Sequence, residues 1–390
     1  MSPGGFGAAG IRALFLAYFT WVGLFSPYLS LYLAAIGLTI AQIGMLMAVP
    51  QVLRIVGPPF WGWLADRGGS RVLLLRVSSV GAVLAALLLP LAGDRFAALM
   101  PVLALLFFMT AAQMPIGETI AMHDAGGDAG RYGRIRIWGS AGFIVGVVAM
   151  GPVLDAWGMR SLPWWMAAIL VGLVASTWML RAMPPPGSGP PAMRVRDRLS
   201  QPRVQAFFAS AFLMLFAHAA LYAFLSLYLA QLGYSKTAIG LLWALGVVAE
   251  IVVFWVQHRL FARFGALRLL DASLWVAALR FALIGLAAHW LPALIVAQLL
   301  HAVTFGIHHS ATVATLQRWF EPAQQARAQA LYVMIGYGLG GALGVLAASW
   351  VWTAVSPPAA FLMSAVAAAL GGLAFRRCRE PEGEAAAVGR

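Results

Sequence analysis

Residues 28–46 read YLSLYLAAIGLTIAQIGML, and 196 positions later residues 224–242 read FLSLYLAQLGYSKTAIGLL, identical at ten of the nineteen positions. The chain therefore carries two copies of one unit. Both copies lie in strongly apolar surroundings, so each half must cross a bilayer an even number of times if the copies are to run the same way. Parallel repeats related by an axis along the membrane normal mark one class of secondary transporters, and a substrate path between the halves is the first expectation.

Apolar residues make up 62% of the 390, charged residues 10%, and the mean hydropathy is +0.85. A water-soluble domain could not hide that much apolar surface. A hydrocarbon core about 30 Å thick needs about 20 helical residues per crossing. Twelve such segments fit between the breaks: 9–34, 42–65, 72–92, 97–121, 135–156, 162–181, 204–231, 237–259, 267–288, 292–316, 328–354 and 357–375. The reading is an all-α integral membrane protein with twelve transmembrane helices in two pseudo-symmetric six-helix bundles. The bundles are placed at 1–182 and 204–379, with a Pro-rich then basic cytoplasmic linker at 183–203 and a polar tail at 380–390. Backbone amides at membrane depth must pair within the protein, which favours helices and tolerates Gly and Pro only where neighbours restore the bonds. The run GYGLGGALG at Gly336 to Gly344 formally contains GxGxxG, but no strand precedes it, and close helix packing through small residues is the better reading.

The net charge of +13 belongs to topology, not to nucleic acid. With both termini inside, 21 of the 26 Lys and Arg fall on cytoplasmic segments and their flanks, and three, Arg95, Arg160 and Lys236, fall outside. That asymmetry sets the orientation in a cell inner membrane by the positive-inside rule. Two cations, Arg54 and Arg280, remain within the membrane. The apolar stretch after the first dozen residues is too long for a signal-peptide core, so no cleavage is expected. A single cysteine, Cys378, excludes an intramolecular disulfide and a cysteine metal site.

Ionisable groups inside a bilayer cost at least about 2.5 to 3.5 kcal/mol each, so each calls for a partner or a role. The candidates are Arg54, Glu118, His218, Glu250, Arg280, His301, His308 and His309. Shifted by 196, Arg54 falls on Glu250, so the copies carry opposite charges at equivalent depths. This could be an ion pair that merely locks the halves, or part of a site. Glu250, Arg280 and His301 come from nearby helices at comparable depth, as proton coupling requires, because a carboxylate that loses an Arg partner or becomes drier can pick up a proton. His218, His301 and His309 can relay protons or hydrogen-bond a substrate. His308 and His309 are adjacent and point about 100° apart on a helix, and no HExxH exists, so no metal is expected, nor any cofactor. Without a G-x-S-x-G or paired aspartates on a cytoplasmic face, an enzyme is not expected. A sensor would need a soluble output domain, and the longest polar segment is short.

The loop after the second segment reads Gly62, Trp63, Leu64, Ala65, Asp66, Arg67, Gly68, Gly69, Ser70, Arg71. It resembles the major facilitator signature G-x-x-x-D-[RK]-x-G-[RK]-[RK], with Ser70 at one basic position, and implies Gly62, Asp66, Arg67, Gly69 and Arg71 as the conformational loop. Within that superfamily the stretch Tyr132 to Gly146, YGRIRIWGSAGFIVG, is similar to the lactose permease branch. That resemblance implies Arg136 and Phe143 as substrate contacts, with Glu118, 18 residues earlier, as the acidic partner of Arg136. Periodicity alone places Arg136 at the cytoplasmic edge as a solvated charge. Arg280 and His301 match the branch's proton machinery, but Thr304 stands where its carboxylate is expected and its other acid is displaced to Glu250. Those departures, with AHAALYAF around His218, LWALGVVAEIVVF around Glu250 and LLHAVTFGIHH from Leu299, resemble the 3-phenylpropionate transporter branch. The implied function is proton-coupled import of a small organic acid, with Arg54 as the carboxylate anchor. A sugar or nucleoside symporter and a drug efflux antiporter stay open as alternatives. The expected partners are a small-molecule substrate, protons and the lipid bilayer, and the expected state is monomeric.

Overall fold

The computed structural model describes residues 5–67, 70–126, 128–181 and 195–378. Among them, twelve helices are long and apolar enough to cross a membrane. They are α1 Ala9–Ala35, α2 Ile40–Asp66, α3 Arg71–Ala92, α4 Phe96–Ala125, α5 Gly130–Trp157, α6 Met159–Trp178, α7 Pro202–Gln231, α8 Lys236–Phe264, α9 Ala266–Ala287, α10 Leu291–Trp319, α11 Pro322–Ala354 and α12 Pro357–Phe375. The all-helical, twelve-span reading holds. Residues 183–194 of the expected linker and the tail at 380–390 lie outside the described residues.

The duplicated stretch folds the same way twice. α1 ends at Gly37, φ +96°, with Gly37 N–H on the Ala34 carbonyl and Leu38 N–H on the Leu33 carbonyl. At the equivalent positions α7 ends at Gly233, φ +89°, with the same bonds from Gly233 to Ala230 and from Tyr234 to Leu229. Only glycine takes that left-handed backbone without strain, and the two bonds satisfy the last helical carbonyls. The next helix starts on a hydroxyl cap in both copies: Thr39 Oγ1 accepts from Gln42 N, and Ser235 Oγ accepts from Ala238 N. Sequence identity at ten positions thus corresponds to one helix–turn–helix corner built twice.

Backbone packing divides the chain into two compact units. One holds the described residues up to 181 together with Leu221–Val247, and the other holds 195–220 together with the described residues from Val248 on. Besides parting between residues 181 and 195, the units exchange the adjoining ends of α7 and α8, Leu221–Val247, because those ends pack against α1 and α5. Tyr28 on α1 donates to the Val147 carbonyl at 2.8 Å and lies 3.2 Å from the Lys236 carbonyl. Asp155 near the end of α5 accepts from Lys236 N, Lys236 Nζ, Thr237 N and Thr237 Oγ1 at 3.1, 3.2, 2.9 and 2.6 Å. The carboxylate fills the N-cap role for α8 from a distant part of the chain.

In the first unit α1 lies along α5 and α3 along α6. The α1–α5 contact is backbone to backbone: a Cβ added at Gly142 would meet the Leu16 carbonyl oxygen. In the second unit α9 lies along α12, as α3 does along α6. There α11 meets α7 as α5 meets α1, with Gly344 against the Phe216 carbonyl.

Three departures from a plain α-helix position the site. α4 breaks between Phe96–Thr110 and Gln113–Ala125. Pro115 explains the break, because it has no N–H for the Ala111 carbonyl and its ring crowds that oxygen. α10 and α11 each contain a π segment, Ala302–Ile307 and Val333–Gly340. Such wide turns gather at functional sites.

Candidate functional site

The first unit holds one cluster of expected site residues. Arg136 on α5 reaches Glu118 on the second segment of α4, Nε to Oε1 at 3.9 Å, and both side chains are more than a third exposed. The guanidinium lies over the Phe19 ring at 4.5 Å and within 5.8 Å of Phe15, and those two rings stack on one another along α1. Gly139 makes room, since a Cβ there would stand 2.6 Å from Arg136 Nη1 and 2.8 Å from Phe19. An ion pair this long and this open contributes little to stability. Its chemistry is instead that of an accessible surface with donors, acceptors and an aromatic face side by side. Tyr132 hydrogen-bonds Glu118, and the charges of Arg54, Arg136 and Glu118 all act on the Tyr18 phenol. A small cavity beside it is lined by Leu14, Phe15, Tyr18, Gln113 and Met114. Arg54 is exposed on α2. Phe143 lies two turns beyond Arg136, half-buried, with its backbone carbonyl against Gly23.

The second unit holds the other cluster, and it is closed. Arg280 on α9 is 1% exposed. Its Nε donates to the Ala297 carbonyl at 2.7 Å, Nη2 to Gln298 Oε1 at 3.1 Å, and Nη1 to Thr304 Oγ1 at 3.0 Å. Nη1 also faces His301 Nδ1 at 3.1 Å. A guanidinium only donates, so His301 Nδ1 must accept, which places the ring proton on Nε2. Nε2 faces Glu250 Oε2 at 3.7 Å. Arg280, His301 and Glu250 therefore form a directed chain, cation to imidazole to carboxylate, across α9, α10 and α8. His301 stacks on Phe305, ring centroids 5.2 Å apart. Gly306, inside the π segment, leaves space for the acid: a Cβ there would lie 3.1 Å from Glu250 Cγ.

The remaining expected residues scatter. His218 on α7 is sealed, its Nδ1 donating to the Met214 carbonyl at 2.9 Å and its ring edge-on to Phe281 at 5.0 Å. His309 is exposed on α10, turned away from the buried His308. In the signature loop, Gly62 lies on α2 and Asp66 ends it, Arg67 covers Trp63 at 4.2 Å, and Arg71 begins α3. Gly69 lies outside the described residues. Ser70, where the signature has a basic residue, accepts from Leu73 N at 3.3 Å and caps α3. Sequence reasoning named Thr304 and His308 without their contacts to Arg280 and Ser273, and it missed Gln298, Ser273 and the Asp155 cap.

A family model, that of the MFS_1 like family, matches residues 10–363. The chain belongs to the MFS_1 like family. This is a family of major facilitator transporters, not of enzymes, and a multi-pass membrane protein acting on small molecules follows. The chain is 30% identical to the "Probable 3-phenylpropionic acid transporter" of Escherichia coli (strain K12) over 374 residues, 90% of this chain and 96% of that one. It is 29% identical over 333 residues to the "Maltose permease" of Geobacillus stearothermophilus, covering 84% and 82% of the two chains. The fold matches a D323A mutant of the nucleoside transporter NupG with a TM-score of 0.84 at 17% identity, covering 96% of this chain and all of that one.

Proposed function

We propose that the chain is a proton-coupled symporter that imports a small organic acid of the 3-phenylpropionate kind by alternating access, its bundles 1–182 and 204–379 rocking about the substrate. The observation that carries the proposal is the Arg280–His301–Glu250 chain, buried in an apolar helical unit where ionisable groups are costly. In this reading Glu250 takes the proton. Its carboxylate faces the His301 Nε2–H at 3.7 Å, and Arg280 fixes the ring that presents that group. Protonation removes the negative charge from a dry interior and frees Glu250 from its partner, and that biases the next conformational step. The acid substrate binds through Arg54, with the aromatic faces of Phe15 and Phe19 and the flanking Tyr18 for its ring. The protein acts as a monomer in the cell inner membrane with both termini cytoplasmic. The relationship to the Escherichia coli protein supports the choice of acid.

The test is uptake of labelled 3-phenylpropionate into proteoliposomes under an imposed pH gradient. Uptake that collapses with a protonophore, and falls at least tenfold in Arg54→Ala, is the expected result. Uptake indifferent to the protonophore removes the coupling. A second reading, symport of a sugar or nucleoside, has its own observation: Arg136 lies over the Phe19 ring beside Glu118, giving donor, acceptor and ring face to a polyhydroxylated ligand. Maltose and uridine in the same assay separate the two.

A further inference from the structure

α9 and α10 carry a second buried polar pair that the Glu250 chain does not use. Ser273 is 0% and His308 4% exposed, and Ser273 Oγ lies 2.8 Å from His308 Nδ1. Ser273 Oγ is also 2.7 Å from the Leu270 carbonyl, which can only accept, so the single hydroxyl proton is committed there. The serine oxygen must then accept from His308. That puts the imidazole proton on Nδ1 and leaves Nε2 a bare acceptor. Nε2 is shut off from solvent and has no hydrogen-bond partner, and neither has Thr312 Oγ1, one turn further along α10. A buried acceptor without a donor is destabilising, so an arrangement that points one inward calls for a role.

Its place in the helices supplies one. Ser273 and Arg280 are seven residues apart on α9, two α-helical turns on one face and about 10 Å along the axis. His301 and His308 are also seven apart, and each meets α9 at the corresponding rung. The π segment Ala302–Ile307 lies between them, and both rings meet α9. His218 on α7 interacts electrostatically with both His301 and His308, so the three imidazoles are neighbours. The ionisable groups acting on His308 are His218 and His309. Asp271, two residues before Ser273, is turned to Trp275 Nε1.

We propose that His308 is a second proton-carrying residue, which receives at Nε2 the proton released by Glu250 and passes it along α10 toward the Arg318 end. The O–H bond of the Glu250 carboxyl breaks and leaves a carboxylate, and the proton forms an N–H bond at His308 Nε2. The resulting imidazolium has both nitrogens protonated and returns to the neutral ring when the Nε2 proton leaves past the Thr312 hydroxyl. Ser273 is a positioning residue that holds the Nδ1–H tautomer and so keeps Nε2 open. The inference rests on the proton coupling proposed above and adds the route by which the proton leaves.

The experiment uses full-length protein in proteoliposomes, with 3-phenylpropionate as the probe and maltose and uridine in parallel. It records proton movement with a pH dye and, separately, substrate exchange at equal pH. His308→Gln keeps the size and polarity of the side chain but cannot carry a proton. It is expected to slow substrate-linked proton movement at least tenfold while exchange stays within twofold of the wild type. Ser273→Ala is expected to slow proton movement about threefold, and Thr312→Val guards against a His308 variant that fails to fold. Normal proton movement in His308→Gln and Thr312→Val overturns the inference while leaving the symport intact. Equal loss of exchange and proton movement also overturns it, since that marks a structural role. A wild type that exchanges substrate without moving protons removes the symport reading itself, and the relay with it.

Discussion

Arg280 shows what a charge in an apolar bundle requires. Its guanidinium donates to a backbone carbonyl, an amide, a hydroxyl and an imidazole, and a carboxylate stands on the far side of that imidazole. Replacing it with Met strips donors from four buried acceptors, each costing about 1–3 kcal/mol before relaxation. Arg280→Met is therefore expected to lower the unfolding temperature by about 5 °C or more and to abolish accumulation, followed by tryptophan fluorescence on heating. An unaltered melting curve would contradict this account of the cluster. Cys378 gives a pH prediction outside the spans. It is 1% exposed, its Sγ donates to the Arg203 carbonyl at 3.2 Å, and burial pushes its thiol up to about 12. The folded protein favours the neutral thiol, so its contribution to stability is full below an ordinary thiol pKa of about 8.5 and is lost as pH rises toward 12. At pH 9 the native protein is expected to resist maleimide, and the same protein in SDS to react completely. The charged members of the site were legible in the sequence because a charge in an apolar segment stands out by type alone. Ser273, Thr304 and Gln298 were not, since a neutral polar residue in a helix so often bonds its own backbone that only packing reveals a further role.

The elements were legible where they obey the duplication and illegible where they bend. The corners at Gly37 and Gly233 follow from the repeat, whereas the wide turns at Ala302–Ile307 and Val333–Gly340 occur in runs that any helix accepts. Asp155 and Lys236 stood at expected helix ends, where Lys236 read as a topology charge, yet their contact holds the start of α8 against α5. Four bonds at a partly exposed carboxylate are worth about 1–2 kcal/mol together once solvent screening is allowed for. Asp155→Ala is expected to let the start of α8 separate from α1 and α5 about tenfold more often. A Val147→Cys reporter in a Cys378→Ser background should then be labelled about tenfold faster by maleimide in detergent, and an unchanged rate would show that the contact carries no load. At the α1–α5 crossing there is no such latitude. Gly142 leaves no room for a Cβ, so Gly142→Leu is expected to yield no monodisperse protein on size exclusion.

At the scale of the whole molecule the duplication and the charge bias make one joint claim. An even number of spans returns the chain to its starting side, and with the termini placed inside, 21 of 26 cations fall on that side, so the proposal is that it is the cytoplasmic one. On that proposal the signature-like loop between α2 and α3 is expected inside, and the Asp155–Lys236 contact outside. Two reporters decide the matter. A fluorescent protein fused after Arg390 is expected to mature and fluoresce, because it folds in the cytoplasm, and alkaline phosphatase fused within the turn at His289 and Trp290 is expected to be active, because it folds outside. The reverse pattern would invert the membrane assignment of every cluster. It would place Arg318 at the outer face, and a proton leaving Glu250 along α10 would then run outward, against the import proposed here.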